Sequence, residues 1–193
     1  MRTVIAIIAA LWAAAPSSAY AQWTLKPFAG INFAAKHGFV DLDDAGERVQ
    51  PIFGGAAGWE WSEAWGVEIE FATSPRFLKG GSGLVETGRV DTFFANVDRR
   101  FGAPTSRVRP FIAAGVGAAR VTIRDALDAF SSTATLGAMN VGGGAVANMS
   151  ARTQLVGDIR YVRSTYGDAG RAGLGETFVH FWRASAGVRI RTP

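Results

Sequence analysis

The feature that most constrains this chain is an alternation of apolar with polar or small residues at a period of two. It recurs from about residue 22 to the end, while helical periodicity is hard to find beyond the first twenty or so residues. Trp23, Leu25, Pro27, Ala29, Ile31 and Phe33 share one parity, and Thr24, Lys26, Phe28, Gly30 and Asn32 share the other. Successive side chains of a strand point to opposite sides of a sheet, so this stretch reads as a strand with one greasy face. Phe53, Gly55, Ala57, Trp59 and Trp61 likewise oppose Gly54, Ala56, Gly58 and Glu60, and Val67, Ile69 and Phe71 oppose Glu68, Glu70 and Ala72. The pattern continues with Phe93, Ala95, Val97 and Phe101 against Thr92, Phe94, Asn96, Asp98 and Arg100, then with Pro110 to Ala118 against Arg109 to Gly117. It is weak between Met139 and Met149, returns at Gln154 to Tyr161, and ends with Trp182 to Ile190 against Arg183, Ser185, Gly187, Arg189 and Arg191. The expectation is all-β, with about eight antiparallel strands.

Ahead of the first strand, Arg2 gives a positive start, Val4 to Ala15 is apolar, and Ala19-Tyr20-Ala21 offers small residues at a signal-peptidase site. Residues 1–21 are therefore expected to be a signal peptide cleaved after Ala21, because the apolar run is short of the ~20 residues that span a bilayer. Residues 22–193 then form one domain of about 170 residues. No later segment is long and apolar enough for a membrane helix, so a membrane-embedded mature chain must close into a barrel. The chain has no cysteine, which fits an exported protein that does not rely on disulfides. Its 20 basic and 16 acidic residues give a net charge of +4, without the clustered stripe of a nucleic-acid-binding protein. So mild an excess suits an anionic lipid surface, and no nucleic acid is expected as partner.

The connections alternate in length. Short ones fall at Ser62 to Ala64, Gly102 to Arg107 and Ser150 to Thr153; long ones are expected at Ala35 to Gln50, Ser74 to Gly88, Thr122 to Gly137 and Ser164 to Glu176. Tight turns at one end and long loops at the other are the anatomy of an up-and-down transmembrane β-barrel of the outer membrane.

Alternation alone does not say which face is inside. An eight-stranded barrel has an interior just wide enough to be filled by side chains, so packing this many Trp and Phe there would overfill it. The opposite parity, rich in Gly, Ala, Ser and Asn and carrying charges of both signs, suits a narrow lumen, and a charge facing lipid near the midplane costs about 2–4 kcal/mol. The apolar face is therefore expected to meet lipid. Trp23, Trp59, Trp61, Trp65 and Phe101 at the short-turn end and Phe33, Phe53, Phe178 and Trp182 at the long-loop end are candidate aromatic girdles. Inside, Lys26, Arg160 and Arg183 against Glu68, Glu70, Asp98 and Asp158 form a candidate lumen charge network. Such charges must be paired when confined, and their alternative reading is a narrow polar pathway for ions or small solutes.

These residues resemble the small outer-membrane β-barrel family that includes the OmpA-like transmembrane domain and opacity-type, porin-like proteins. The resemblance is carried by Lys26-Pro27-Phe28-Ala29-Gly30, by Phe94 to Phe101, by Arg109-Pro110-Phe111-Ile112-Ala113-Ala114-Gly115-Val116-Gly117, by Asn140 to Gly144, by Asp158-Ile159-Arg160-Tyr161 and by Phe181 to Val188. It implies a bacterial outer-membrane location in the cell envelope, reached with the help of periplasmic chaperones and the barrel-assembly machinery. Outer-membrane lipid and lipopolysaccharide are the implied surroundings, and the chain is expected to be a monomer. Members usually finish on an aromatic residue that the assembly machinery reads, whereas this chain finishes Ile190-Arg191-Thr192-Pro193.

Enzymatic patterns are not found. Lipid A deacylases, barrels of similar size, use a closely spaced His and Ser on a lipid-facing strand, but here His180 and Ser185 have opposite parity. There is no Gly-x-Ser-x-Gly elbow, no metal-spaced histidine pair and no phosphate loop with Lys, and Gly142-Gly143-Gly144 reads as a bend or close packing. The expectation is a non-enzymatic barrel without cofactor whose long loops present a surface for adhesion or envelope integrity. The alternatives are a narrow small-solute channel and a lipid-modifying enzyme.

Overall fold

In a computed structural model of the chain, residues 22–37, 49–78, 85–125, 131–167 and 179–192 are described. The expected signal peptide, residues 1–21, and Phe178 lie outside them. The strands are β1 (Gln22–His37), β2 (Val49–Glu60), β3 (Trp65–Leu78), β4 (Val85–Arg100), β5 (Val108–Asp125), β6 (Ser131–Asn148), β7 (Thr153–Gly167) and β8 (Val179–Arg191). Each pairs antiparallel with its sequence neighbour, and β8 returns to β1, closing the barrel.

The parity read from the sequence is the parity of the wall. On β5 the outward positions are Val108, Pro110, Ile112, Ala114, Val116 and Ala118, and the inward ones are Arg109, Phe111, Ala113, Gly115, Gly117 and Ala119. Outward apolar side chains stay in the open, with Ile112 56% and Val116 68% exposed, while inward charges such as Glu70 and Arg183 are each 1% exposed. So continuous an apolar surface around a barrel far exceeds what a water-soluble monomer shows. Eleven residues from Val108 to Ala118 match the ~9–11 that a tilted strand needs to cross a membrane.

Serine shapes two of the short turns. Ser62 Oγ accepts from the amides of Ala64 and Trp65 at 3.3 and 3.0 Å, and Ser150 Oγ accepts from those of Arg152 and Thr153 at 3.3 and 3.0 Å. In the remaining short turn Gly102 takes φ +84°, a conformation that costs a residue without Cβ little. Trp61, read as the end of the second strand, sits in the first of these turns instead.

The long connections are shorter than expected, because the strands run on through segments read as loop. β3 reaches Leu78, β4 begins at Val85, β5 reaches Asp125, β6 begins at Ser131 and β7 reaches Gly167. Outward positions there turn polar (Thr73, Asp91, Arg89, Arg120, Thr133 and Thr135), so the contrast between faces vanishes although the ladder continues. Backbone pairing does not need a greasy face, and above the lipid an outward Arg or Thr meets water. Ser164, also read as loop, is a buried lumen residue of β7.

Candidate functional site

A strand brings residues two apart to the same face, so each charged strand delivers a short ladder to the lumen. β3 supplies Glu68 and Glu70, β7 Asp158 and Arg160, β4 Asp98 and Arg100, β8 Arg183, Arg189 and Arg191, and β1 Lys26. Several bonds join strands that are not neighbours in the wall. Lys26 Nζ donates to Glu68 Oε1 at 2.8 Å, Arg183 Nη1 lies 2.7 Å from Glu70 Oε1, and Arg160 reaches Glu68 and Glu70, each at 3.4 Å. Those bridges cross the lumen.

Arg160 also bonds Asp158, at 3.1 Å, and Asp158 accepts from Ser185 Oγ at 2.6 Å. Lys26 and Arg183 lie over the Phe28 ring, 5.5 and 5.4 Å from its centroid, so the ring's negative face adds to their neutralisation. Space for the long side chains comes from glycine. Gly142 and Gly144 of β6 stand opposite Arg160 and Asp158, and a Cβ on either would run into β7 backbone.

The expected network residues thus lie in one lumen, six of them in direct contact as one group and Asp98 in an adjoining one. Asp98 pairs with Arg100 at 3.1 Å, Arg100 with Glu60 at 2.9 Å, and Glu60 with Arg189 and Arg191 at 3.5 and 3.3 Å. Arg189 joins the two groups by also contacting Glu68 at 3.4 Å. Glu60, Arg100, Arg189 and Arg191 were missed as members although their parity already placed them on the lumen face. Arg109 was missed too: its Nη2 donates to the carbonyls of Glu63 and Gly102 at 2.8 and 3.5 Å, tying two short turns together.

Apolar groups fill the lumen elsewhere. Phe94, Leu136, Val162 and Phe181 pack with Val90, Ala119, Val121 and Ala138 toward the long-loop end, and Phe111, Ala113, Val146 and Val156 form a second group. Between them Asn140 Nδ2 donates to Asn96 Oδ1 at 2.8 Å. Phe181 shares the parity of Arg183, but an apolar residue on the lumen face near a strand end gives no contrast with the outer face to mark it, and the same holds for Leu136.

On the outer wall Trp23 meets Trp59 edge to face, centroids 4.8 Å apart, and Arg99 lies over Trp65 and Phe101 at 5.2 and 5.3 Å. At the other end Phe33 is in register with Trp182, Trp182 packs on Tyr161 at 5.3 Å, and Phe53 is 52% exposed. Tyr161, absent from the expected girdle, packs on its candidate member Trp182. His180 packs against Tyr161 on the outer face, whereas Ser185 points into the lumen, so the two do not meet. Among the described residues no cluster of His, Cys, Asp and Glu could hold a metal ion.

The family model for the outer membrane protein beta-barrel domain matches residues 7–189. No curated protein matches the chain. Among solved structures, Neisserial surface protein A is similar at a TM-score of 0.63 and 16% identity, over 88% of this chain and 96% of that one. A major outer membrane protein from Thermus thermophilus is similar at 0.55 and 12%, over 89% and 99%. Ail, the attachment invasion locus protein of Yersinia pestis, seen in complex with the heparin analogue sucrose octasulfate, is similar at 0.52 and 18%, over 89% and 99%. At such identities the likeness is one of fold.

Proposed function

The chain belongs to the outer membrane protein beta-barrel domain family and is a bacterial outer-membrane protein, and from that premise we propose that it is a non-enzymatic anchor whose long connections form an interaction surface outside the cell. The observation that carries the reading is the occupied lumen: among the described residues, ion pairs cross it and buried apolar side chains pack above them, in the space a passage would need. Function then falls to the long connections, which join strand ends at one end of the barrel.

In residues 38–48, 79–84, 126–130 and 168–178 acidic residues outnumber basic ones by seven to three. That balance disfavours a polyanion such as the sulfated ligand of Ail and favours a neutral or cationic partner surface. Outward Arg89, Arg120 and Arg163 sit just beyond the apolar band, and their guanidinium groups suit the phosphates of lipopolysaccharide. The barrel is a monomer that reaches the membrane through periplasmic chaperones and the barrel-assembly machinery.

The test is attachment of non-adherent bacteria carrying the barrel, compared with the same cells carrying a form in which 38–48 and 168–178 are replaced by short Gly/Ser links. Attachment should rise with the full chain and fall to background with the shortened one, both forms keeping heat-modifiable gel mobility. Equal attachment with and without the protein would remove the reading.

A further inference from the structure

At the short-turn end of the lumen, arginine outnumbers its partners. Glu60 alone meets Arg100 at 2.9 Å, Arg191 at 3.3 Å and Arg189 at 3.5 Å. Among the described residues Asp98 pairs with Arg100 alone, and Glu68 is shared with Lys26 and Arg160 deeper in the lumen. Arg109 stands within electrostatic reach of Arg100, Glu63, Arg191 and Glu60, yet its bonds go to the backbone carbonyls of Glu63 and Gly102 rather than to a carboxylate.

Among the described residues, all four arginines keep a buried nitrogen with no hydrogen-bond partner: Nη1 of Arg100 and Nε of Arg109, Arg189 and Arg191. Arg100, Arg109 and Arg189 are 3%, 5% and 4% exposed. A buried charged donor without an acceptor is costly, and guanidinium N–H groups fit the oxygens of phosphate or carboxylate. The cluster repels a cation. It also has little to offer a polyanion, because only Arg191, with 23% of its side chain exposed, opens to solvent, so a second phosphate would find no partner.

We infer that the short-turn mouth of the lumen binds one small oxyanion of the phosphate type, held by Arg100, Arg109, Arg189 and Arg191 beside Glu60. Arg191 is the entry, and the other three are held in place by Glu60, Asp98, Glu68 and the turn carbonyls. The site lies inside the wall, whereas Arg99 lies on the outer face, over Trp65 and Phe101, where a phospholipid headgroup would meet it. The occupant is therefore the free ion. The inference is independent of what the long connections contact.

The experiment is calorimetric titration of the folded chain, in neutral detergent, with inorganic phosphate against chloride at constant ionic strength. One phosphate should bind saturably per barrel. Arg191→Gln and Arg109→Gln should each weaken it about tenfold or more, the loss of one charge-assisted contact, while Arg99→Gln leaves it unchanged. Heat-modifiable mobility checks the fold of each variant, and if Arg109→Gln does not fold, Arg191→Gln at the partly exposed mouth decides alone. Absence of saturable heat, the result for a mouth filled by water, overturns the inference, as does undiminished binding in Arg191→Gln. Displacement of phosphate by short-chain phosphatidylglycerol assigns the site to a lipid headgroup and overturns the free ion.

Discussion

Arg160 holds three carboxylates at once, Asp158 at 3.1 Å and Glu68 and Glu70 each at 3.4 Å, in a place where it is only 2% exposed. Removing one partner from such a group strands charge away from water, which costs about 3–5 kcal/mol. Arg160→Ala and Glu70→Ala should therefore each lower the urea unfolding midpoint strongly and raise any conductance, because both also delete a bridge across the lumen. The Arg89–Asp91 pair is shorter, at 2.7 Å, but the Arg89 side chain is 54% exposed. Solvent screens it, so Asp91→Ala should shift stability by under about 1 kcal/mol in the same titration. Packing sets the other residue-scale limit. Gly144→Ala places a methyl group against the Gly157 carbonyl and Asp158, an overpacking worth about 1–3 kcal/mol that the urea midpoint should also register.

The strands were legible in the sequence wherever the two faces differ in polarity. Val67, Ile69 and Phe71 against Glu68, Glu70 and Ala72 fixes both the strand and its orientation, since charge in hydrocarbon is the costlier arrangement. The ends of the strands were not legible, because Asp91, Arg120 and Thr122 continue the ladder after the outer face has turned polar. Cysteine at 120 on whole cells should react with a membrane-impermeant maleimide, while cysteine at 112 or 116 should not; equal reaction at all three would place the apolar band elsewhere. Substitutions in 168–176 should alter neither stability nor conductance. Inside the barrel, parity told which charges face the lumen but not which of them meet. Lys26 and Glu68 are 42 residues apart on non-neighbouring strands, and such a distance is fixed only by closure. The apolar layer of Leu136, Val162 and Phe181 escaped notice because near the long-loop end the lumen face itself turns apolar.

At the scale of the whole molecule, one face of every strand is given to lipid and the other to a lumen that its own side chains fill. Export comes first, and Ala19-Tyr20-Ala21 sets the expectation that protein isolated from outer membranes begins at Gln22. Terminal sequencing checks this, and a start at Met1 would contradict it. Closure of the lumen decides between an anchor and a passage: eight strands leave little room, and Arg160, Arg183, Phe94 and Phe181 occupy it. The most direct measurement is single-channel recording of the unmodified protein in a planar bilayer. The filled lumen predicts no steady current, with openings appearing only once Glu70 or Arg160 is replaced by alanine, and large, steady currents from the unmodified chain would contradict it.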